Sequence, residues 1–425
     1  YLKECRAALG GPLPARRTKG DSLDIPSLKI FDRLLQETGE REISTTQALV
    51  QAMTLMCKDK KIGQRVVPIV PDEARTFGME GMFRQIGIYA HEGQKYEPVD
   101  RDQLMYYKEN QSGQLLQEGI TEDGAMSSWI AAATSYTNSG MQMVPFYIFY
   151  SMFGFQRIGD LIWAAGDIQA RGFLIGATSG RTTLNGEGLQ HEDGHSQIMA
   201  GNVPNCISYD PTFSYELMVI MQNGMERMFN KQDNVFYYIT TMNENYQHPG
   251  LRKGQEKNII KGMYLLRKGK NGKTRVQLLG SGSILREAIA AADLLSADFK
   301  VQADIWSCPS FNELKRDGDE VSRWNLLHPD KKPRMSHVAQ CLEKTDGPVI
   351  AATDYVKLFA DQIRAYVPQS YTVLGTDGYG RSDSREALRK HFEVDRYYIA
   401  VAALSALVEE GGISVKTINS AIKKY

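Results

Sequence analysis

The feature that most restricts the fold is a regular alternation of apolar, β-rich runs with segments of helical periodicity. The first such runs are residues 66–70, 115–120, 144–150, 173–175 and 235–241. Strands that are apolar throughout are buried on both faces, as in parallel sheets covered by helices. The alternation therefore predicts an α/β domain with a largely parallel sheet.

The first helix of this domain has a start signal of its own. Residues 44–47, with the sequence STTQ, form a capping box, and Leu49, Ala52, Met53 and Met56 follow at helical spacing. This pattern predicts a helix that begins near Thr45 and turns its apolar stripe toward a sheet.

A second α/β unit follows a polar, irregular stretch at residues 246–259. It has β-rich runs at 276–279, 301–306 and 349–352, and helical patterns at 284–295 and 397–410. Just before it, Asn271 and Gly272 lie in the basic segment 267–275. We interpret this segment as a hairpin turn in solvent rather than an anion site, because Asn-Gly between apolar runs is the strongest short hairpin signal.

The predicted fold class is α/β, with two successive three-layer domains whose sheets are mainly parallel. A chain of 425 residues is too long for one hydrophobic core. Residues 1–43, rich in Gly, Pro and Arg between positions 10 and 20, are expected to form a linker arm. The first domain is expected to span residues 44–250 and the second residues 251–425.

The charge balance restricts the partners of the chain. Fifty Lys and Arg residues match fifty Asp and Glu residues, so the net charge is zero. Long-range attraction for nucleic acid or an anionic membrane surface is therefore absent, and we expect neither as a partner. The five cysteines are scattered without paired metal-ligand spacing, which favours reduced thiols in the cytoplasm.

One short motif matches a zinc site but lacks the context of one. Residues 191–195, HEDGH, fit H-E-x-x-H, which binds zinc only when a helix places both imidazoles on one face. Gly194 lies inside the motif, and no apolar helical stripe surrounds it. We therefore expect a loop here.

A second short motif, Gly280-Ser281-Gly282, lies between a predicted strand and a predicted helix. It is similar to part of a nucleotide-phosphate loop, but the third glycine of the dinucleotide fingerprint is absent. We interpret it as a strand-to-helix turn without a ligand.

Acidic residues follow two of the predicted strands. Asp72 and Glu73 come after the run 66–70, and Glu122 comes after the run 115–120. Ligands of parallel α/β sheets bind at the carboxyl ends of strands, so these carboxylates are candidate site residues. Helix caps and solvated turns use the same residue types, so position alone leaves both interpretations open.

Five longer segments carry a more specific signal. They are PDEARTFGME (71–80), QEGITE (117–122), YSMFGFQR (150–157), GEGLQHEDGH (186–195) and LGTDGYGRSDSR (374–385). In these segments, and from about residue 24 to its end, the chain resembles the single-chain, homodimeric decarboxylating component of bacterial pyruvate dehydrogenase. The resemblance implies the pyrimidine-binding and carboxy-terminal domains of a transketolase-like enzyme, a homodimer, and a cytoplasmic location of the bacterial type.

The resemblance also implies a cofactor end for the site. Glu122 matches the carboxyl group that hydrogen-bonds the pyrimidine nitrogen of thiamine diphosphate, and Phe153 matches the aromatic residue packed on that ring. Asp72, Glu73 and Arg157 match polar residues around the cofactor and along the link between the paired sites.

Tyr150, Glu187 and His191 match residues that line the substrate end. An imidazole changes charge near neutrality, so His191 suits proton transfer during decarboxylation or reductive acetylation of a lipoyl group. The implied activity is oxidative decarboxylation of pyruvate, with acetyl transfer to the lipoyl domain of a dihydrolipoyl acetyltransferase.

The role implied for Glu122 has a physical reason. Desolvation raises the proton affinity of a buried carboxyl, which can then share a proton with the pyrimidine at neutral pH. This sharing favours the imino tautomer of the ring's amino group, which removes the proton from the thiazolium carbon. The cofactor can then attack pyruvate and accept its electrons.

The diphosphate end of a thiamine site is not evident in the sequence. The family's magnesium site is Gly-Asp-Gly followed further along by Asn, and the nearest string, Thr376-Asp377-Gly378, has no suitable partner Asn. In the family this site belongs to an amino-terminal domain. We therefore expect the magnesium ligands to lie outside this chain, and the chain to be part of a longer polypeptide.

Two other functions stay open on the sequence alone. One is ketol transfer of the transketolase type, which would need a site for a sugar phosphate. The other is a non-catalytic dimerisation or docking module, which would explain the missing diphosphate site. Pyruvate and 2-oxobutyrate also stay unresolved, since one methylene changes discrimination by only about 1–3 kcal/mol.

Overall fold

The structure is a computed structural model that describes residues 1–8, 19–71 and 74–425. Its strands are β1 (Val66–Val70), β2 (Ile88–Tyr89), β3 (Glu109–Asn110), β4 (Leu116–Gln117), β5 (Val144–Tyr150), β6 (Phe173–Ala177), β7 (Cys206–Tyr209), β8 (Phe236–Thr240), β9 (Tyr264–Arg267), β10 (Arg275–Gly280), β11 (Gln302–Ser307), β12 (Val349–Ala352) and β13 (Tyr371–Leu374).

The α-helices are α1 (Leu2–Ala8), α2 (Asp32–Leu35), α3 (Thr45–Cys57), α4 (Glu80–Gln85), α5 (Glu122–Ala133), α6 (Ser135–Asn138), α7 (Phe155–Asp167), α8 (Ser196–Asn202), α9 (Ser214–Met225), α10 (Glu256–Ile260), α11 (Ile284–Phe299), α12 (Phe311–Leu327), α13 (His337–Leu342), α14 (Leu358–Asp361), α15 (Arg385–His391), α16 (Arg396–Glu409) and α17 (Val415–Lys424). Short 3-10 helices lie at Leu28–Phe31, Gly63–Arg65, Ser151–Phe153, Leu189–His191 and Arg364–Tyr366, and a π-helical turn at Glu226–Asn230.

The first sheet holds six parallel strands in the order β4-β1-β5-β6-β8-β7. Strands β1 and β5 have the predicted limits, and β6 and β8 lie close to theirs. Nearly all side chains of these strands are buried, as their apolar sequences indicate. The prediction of a largely parallel sheet in an α/β unit is confirmed.

Two strands of this sheet differ from the prediction. β4 is much shorter than the predicted run 115–120, because Gly119 has a left-handed φ of 80° that turns the chain out of the sheet. The prediction misses β7 altogether. β7 has four residues, all buried, and it mixes Cys206 and Ser208 with apolar side chains, so no apolar run marks it.

The second sheet has the order β13-β12-β10-β11-β9, with only β9 antiparallel to its neighbour. The predicted hairpin around Asn271 and Gly272 is wrong, because β9 pairs with β11 rather than with β10. Asp304 on β11 accounts for this path. Its carboxylate accepts hydrogen bonds from the Gly269 backbone N–H (2.8 Å) and from Arg275 Nη1 (2.6 Å). These bonds hold the connection between β9 and β10 against β11.

Helix α3 confirms the predicted start near Thr45. The side chain of Ser44 accepts a hydrogen bond from the Gln47 backbone N–H at 3.0 Å, as an N-cap residue does. The predicted apolar stripe is fully buried, and the helix contacts α9 and β1. This helix therefore closes one face of the first sheet.

Residues of the predicted linker arm pack on the first unit. Phe31, Leu34 and Ile43 are buried in its core, and Ile43 forms an isolated β-bridge with Tyr246. One core cluster of apolar side chains continues from the first unit into the second. The limits given above for the arm and the two domains stay predictions.

In the ranges that the structure describes, none of the helices combines the length and apolar character needed to cross a bilayer.

Candidate functional site

The site begins at the amino end of α5. Thr121 caps this helix by accepting a hydrogen bond from the Gly124 backbone N–H, and Glu122 is its first residue. The Glu122 side chain is only 13% exposed, and Oε1 accepts a hydrogen bond from Arg157 Nη1 at 2.7 Å. This carboxyl is therefore largely shielded from bulk water.

Arg157 connects Glu122 to an aromatic ring. It lies in the first turn of α7, and its guanidinium carbon is 3.9 Å from the centroid of the Phe153 ring. Phe153 belongs to the 3-10 turn that joins β5 to α7. The carboxyl end of β5 thus places a cation–π pair beside the carboxyl group of Glu122.

The aromatic surface continues from Phe153 to an imidazole. The rings of Tyr150 and His191 are stacked with centroids 5.0 Å apart, and the His191 and Phe153 rings meet edge to face at 5.3 Å. His191 Nδ1 lies 3.3 Å from Glu187 Oε2. The imidazole and the carboxylate are therefore near each other, but Nδ1 makes no hydrogen bond to a described residue.

The structure thus brings six of the predicted site residues into one series of contacts: Glu122, Arg157, Phe153, Tyr150, His191 and Glu187. The other two, Asp72 and Glu73, lie outside the described residues. The sequence did not single out Phe77, which is buried and packs edge to face on Tyr150 at 5.6 Å. It lies in the segment 71–80 that carries the family resemblance.

Glu192 is a further acidic residue that the sequence did not assign. It follows His191 directly, is fully buried, and accepts a hydrogen bond from the Arg381 backbone N–H at 2.7 Å. Burial raises the pKa of Glu192 to about 7; the charge of Asp354 acts in the same direction, while Arg381 and Arg181 oppose it. A titratable carboxyl thus lies beside the predicted proton-transfer residue.

The loop prediction for HEDGH is confirmed. His191 ends a 3-10 turn and His195 precedes α8, so the two imidazoles do not share a helix face. Asp193 is buried and accepts hydrogen bonds from the backbone N–H groups of His195 and Ser196, both at 2.9 Å. In the part of the chain that the structure describes, no three His, Cys, Asp or Glu side chains form a metal site.

The strand-to-helix turn predicted at Gly280-Ser281-Gly282 is also confirmed. β10 ends at Gly280, and α11 begins at Ile284. The turn is buried against the first unit, where Ser281 Oγ donates to Asp210 Oδ2 at 2.8 Å and the Gly282 N–H donates to the Asp210 carbonyl at 3.1 Å. Its polar groups therefore bind the neighbouring unit.

The site residues fit the pyrimidine end of a thiamine cofactor in their chemistry. A half-buried carboxyl group can bind a ring nitrogen, and the half-buried ring of Phe153 can pack on a flat heterocycle. For a magnesium ion, the described residues offer no group of three His, Cys, Asp or Glu side chains.

Two family models match the chain. The model described as "Pyruvate dehydrogenase E1 component middle domain" matches residues 23–249, and the model described as "Transketolase-like TK C-terminal domain" matches residues 262–395. Similar relatives include proteins named pyruvate dehydrogenase E1 component from Cupriavidus necator, Pseudomonas aeruginosa and Escherichia coli K12, at 62%, 61% and 58% identity. Each comparison covers 100% of this chain and 48% of the relative, so the chain spans about half the length of these proteins.

Solved transketolases have a similar fold. The enzyme from Campylobacter jejuni matches with a TM-score of 0.64 and 14% identity, over 88% of this chain and 49% of that one. The enzyme from Leishmania mexicana matches with a TM-score of 0.65 and 13% identity, over 91% of this chain and 48% of that one. At this identity the likeness shows the fold alone. On the family match to its first unit, the chain belongs to the pyruvate dehydrogenase E1 component family.

Proposed function

We propose that this chain supplies the pyrimidine-binding half of a thiamine diphosphate site in an enzyme that decarboxylates pyruvate and transfers the acetyl group to the lipoyl domain of an acyltransferase. The observation that carries the proposal is the unbroken series of contacts from the Glu122 carboxyl to the His191 imidazole. Membership of the family and the names of the relatives support it.

At the cofactor end, the Glu122 carboxyl hydrogen-bonds the pyrimidine nitrogen, and Phe153 packs on the ring. Arg157 fixes both residues, because one guanidinium pairs with the carboxyl and covers the aromatic face. When bound, thiamine diphosphate supplies the nucleophilic carbon and the electron sink for decarboxylation. We also propose a cofactor-binding role for Asp72 and Glu73, which follow β1 in the sequence.

At the substrate end, His191 moves a proton between the reacting groups and Glu187. The stacked Tyr150 ring fixes the plane of the imidazole, and Glu187 Oε2 lies near its Nδ1 atom. The other ring nitrogen, Nε2, is then the atom that serves pyruvate or the lipoyl group.

The proposed enzyme is a cytoplasmic homodimer whose magnesium and diphosphate ligands lie outside this chain. Ile120, two residues before Glu122, is 78% exposed, and Trp163 on α7 is 57% exposed. Large apolar side chains exposed on the elements that hold the site suit a subunit interface there.

The test is Glu122→Ala in the complete enzyme. Loss of the carboxyl removes the hydrogen-bond partner of the pyrimidine nitrogen, so we expect turnover of pyruvate to fall by about 10²-fold or more. Asp123→Ala is the matched control, because Asp123 is the next residue on α5 and is exposed. Asp123→Ala should keep near-normal turnover.

Near-normal turnover of Glu122→Ala would refute the mechanism. A parallel assay of ketol transfer, with a ketose phosphate as donor in place of pyruvate, tests for activity of the transketolase type. Faster turnover of the ketose phosphate would refute the proposed substrate.

A further inference from the structure

The loop that carries Glu187 and His191 is held by the second α/β unit. We call residues 181–195, which lie between β6 and α8, the substrate-end segment. We call residues 375–385, which lie between β13 and the first turn of α15, the second-unit loop. The two run beside each other, although about 190 residues separate them in the sequence.

The first half of the substrate-end segment is hydrogen-bonded to the second-unit loop through its own backbone groups. The Gly186 N–H donates to the Asp383 carbonyl at 3.0 Å, and Arg385 Nε donates to the Thr183 carbonyl at 2.5 Å. These bonds lie on the amino side of Glu187. That side of the segment therefore follows the second-unit loop.

The second half is tied at Glu192. Its Oε2 accepts the hydrogen bond from the Arg381 backbone N–H at 2.7 Å, and the adjacent Gly380 lies against the segment. A Cβ atom added to Gly380 would lie 2.6 Å from the Leu189 carbonyl oxygen and 2.8 Å from the Glu192 Cβ atom. Only glycine permits this approach.

Arg181 also joins the substrate-end segment to the second-unit loop. Its side chain is 3% exposed, and Nη1 donates to the Gly378 carbonyl at 2.6 Å. A Cβ atom on Gly194 would overlap the Arg181 guanidinium, so the arginine lies directly on the backbone of the segment. Val356, also in the second unit, donates its backbone N–H to the Gly194 carbonyl at 2.8 Å.

We propose that Glu192 and Gly380 are positioning residues that set the orientation of His191. The imidazole has its ring partners, Tyr150 and Phe153, in the first unit, but the backbone on either side of it, at Gly186 and Gly194, is hydrogen-bonded to the second unit. The second unit, which contributes none of the assigned site residues, thereby controls the substrate end. This inference rests on the proposed function, since it concerns the work of His191 in that reaction.

The test compares Glu192→Ala, Glu192→Gln and Gly380→Ala in the complete enzyme. Glu192→Ala removes the acceptor, and Gly380→Ala pushes the loops apart, so each should lower kcat about 10- to 100-fold through a displaced imidazole. Glu192→Gln keeps a carbonyl oxygen for the Arg381 N–H and should restore most of kcat. All three should keep the Kd for thiamine diphosphate within about a factor of two, because Glu122 and Phe153 lie on other elements.

Gly81→Ala is the control for the added methyl group. Gly81 is exposed, and the nearest atom to its added Cβ is 3.9 Å away. Hydrogen exchange of the backbone amides of residues 185–195 gives a readout that does not depend on the reaction. We expect faster exchange there in Glu192→Ala and Gly380→Ala, and unchanged exchange in Gly81→Ala.

Unchanged kcat in both Glu192→Ala and Gly380→Ala would overturn the proposal. An equal loss of cofactor affinity and kcat would also overturn it, because the residues would then support the whole unit rather than the imidazole. If the unchanged enzyme did not decarboxylate pyruvate, the proposed function would fail. The exchange rates would still show whether the second unit holds the segment.

Discussion

The candidate site and the contact region between the two units hold their charged groups in different ways. We call this contact region the seam; its charged residues are Asp210, Glu216, Glu244, Glu287, Asp354 and Arg389. In the site, Arg157 is 49% exposed, and it contacts the Glu122 carboxyl group and the face of the Phe153 ring. In the seam, Asp210, Glu216 and Asp354 are buried and receive hydrogen bonds from hydroxyl and backbone N–H groups. Arg157 in the site is thus partly exposed to water, whereas these seam carboxyl groups are hydrogen-bonded by protein groups.

The seam itself contains two kinds of carboxyl group. Burial raises the pKa of Asp210 to about 7 and raises that of Asp354, although hydrogen bonds from neighbouring hydroxyl groups oppose it. Burial also acts to raise the pKa of Glu244 and of Glu287, but arginine partners outweigh it, and both pKa values are lowered. Arg389 lies between these two glutamates.

This difference separates stability from catalysis. Charges fixed in the seam should contribute to the free energy of unfolding, because a buried partner left alone cannot be solvated. Charges in the open site should contribute mainly to the reaction, since water can replace a lost partner there. Substitution in each region tests the distinction.

The largest effect on stability is expected for Arg389→Met. Its guanidinium is 7% exposed, pairs with Glu244, and lies 3.5 Å from Glu287 Oε1. Removing it leaves Glu244 with Arg286 and Glu287 with Arg396 as their arginine partners, so we expect a cost of about 3 kcal/mol, the lower end of the range for a broken buried ion pair. Hydrogen exchange of the α11 and α15 amides in the complete enzyme measures this loss as a lower opening free energy.

Arg323→Met is the control for this prediction. Arg323 lies on α12 and is exposed, so its loss should change the opening free energy by less than about 0.5 kcal/mol. An equal effect of the two substitutions would contradict the distinction between the seam and exposed surface.

The sequence predicts the strands of the fold where a local pattern suffices. β1 and β5 are uninterrupted apolar runs, so their limits follow from composition. β9 shows the limit of local signals. Asn271 and Gly272 predict a hairpin, but the pairing depends on Asp304, a buried carboxyl on a strand more than thirty residues away.

The candidate site shows the same limit. The residue types of Glu122 and His191 follow from long motifs, and their separate elements are evident from the strand pattern. That Arg157 pairs with Glu122 while it covers Phe153 follows only from how β5 and α5 lie together. Glu192 could not be assigned, because its partner Arg381 belongs to the other unit.

A pH-dependent effect is expected for Asp210→Asn. Burial raises the pKa of Asp210 from 3.8 to about 7, so in this range the folded protein keeps a proton that the unfolded chain has lost. The group therefore stabilises the fold at low pH, and this contribution is lost as pH rises to about 7. Each pKa unit corresponds to about 1.4 kcal/mol.

Asparagine has no such proton to lose, so Asp210→Asn should resist urea better than the unchanged enzyme at about pH 8. As the pH falls to about 3.8 the two should become close, because the unfolded carboxyl then also binds its proton and an amide can replace a protonated carboxyl beside Thr240 and Ser281. A variant that is less stable at both pH values would show that the seam needs the carboxylate.

The smallest effect on stability is expected for Arg157→Lys in the site. An ammonium group keeps the charge, but it cannot pair with Glu122 and also lie flat on Phe153 as a guanidinium does. Because Arg157 is about half exposed, the opening free energy of α7 should change by less than about 1 kcal/mol. Turnover of pyruvate should nevertheless fall about tenfold or more, because the carboxyl and the ring lose their common support.

Hydrogen exchange of α7, measured beside turnover in the same preparation, separates the effect on stability from the effect on turnover. A loss of stability as large as that of Arg389→Met would mean that the site, like the seam, is part of what holds the fold together.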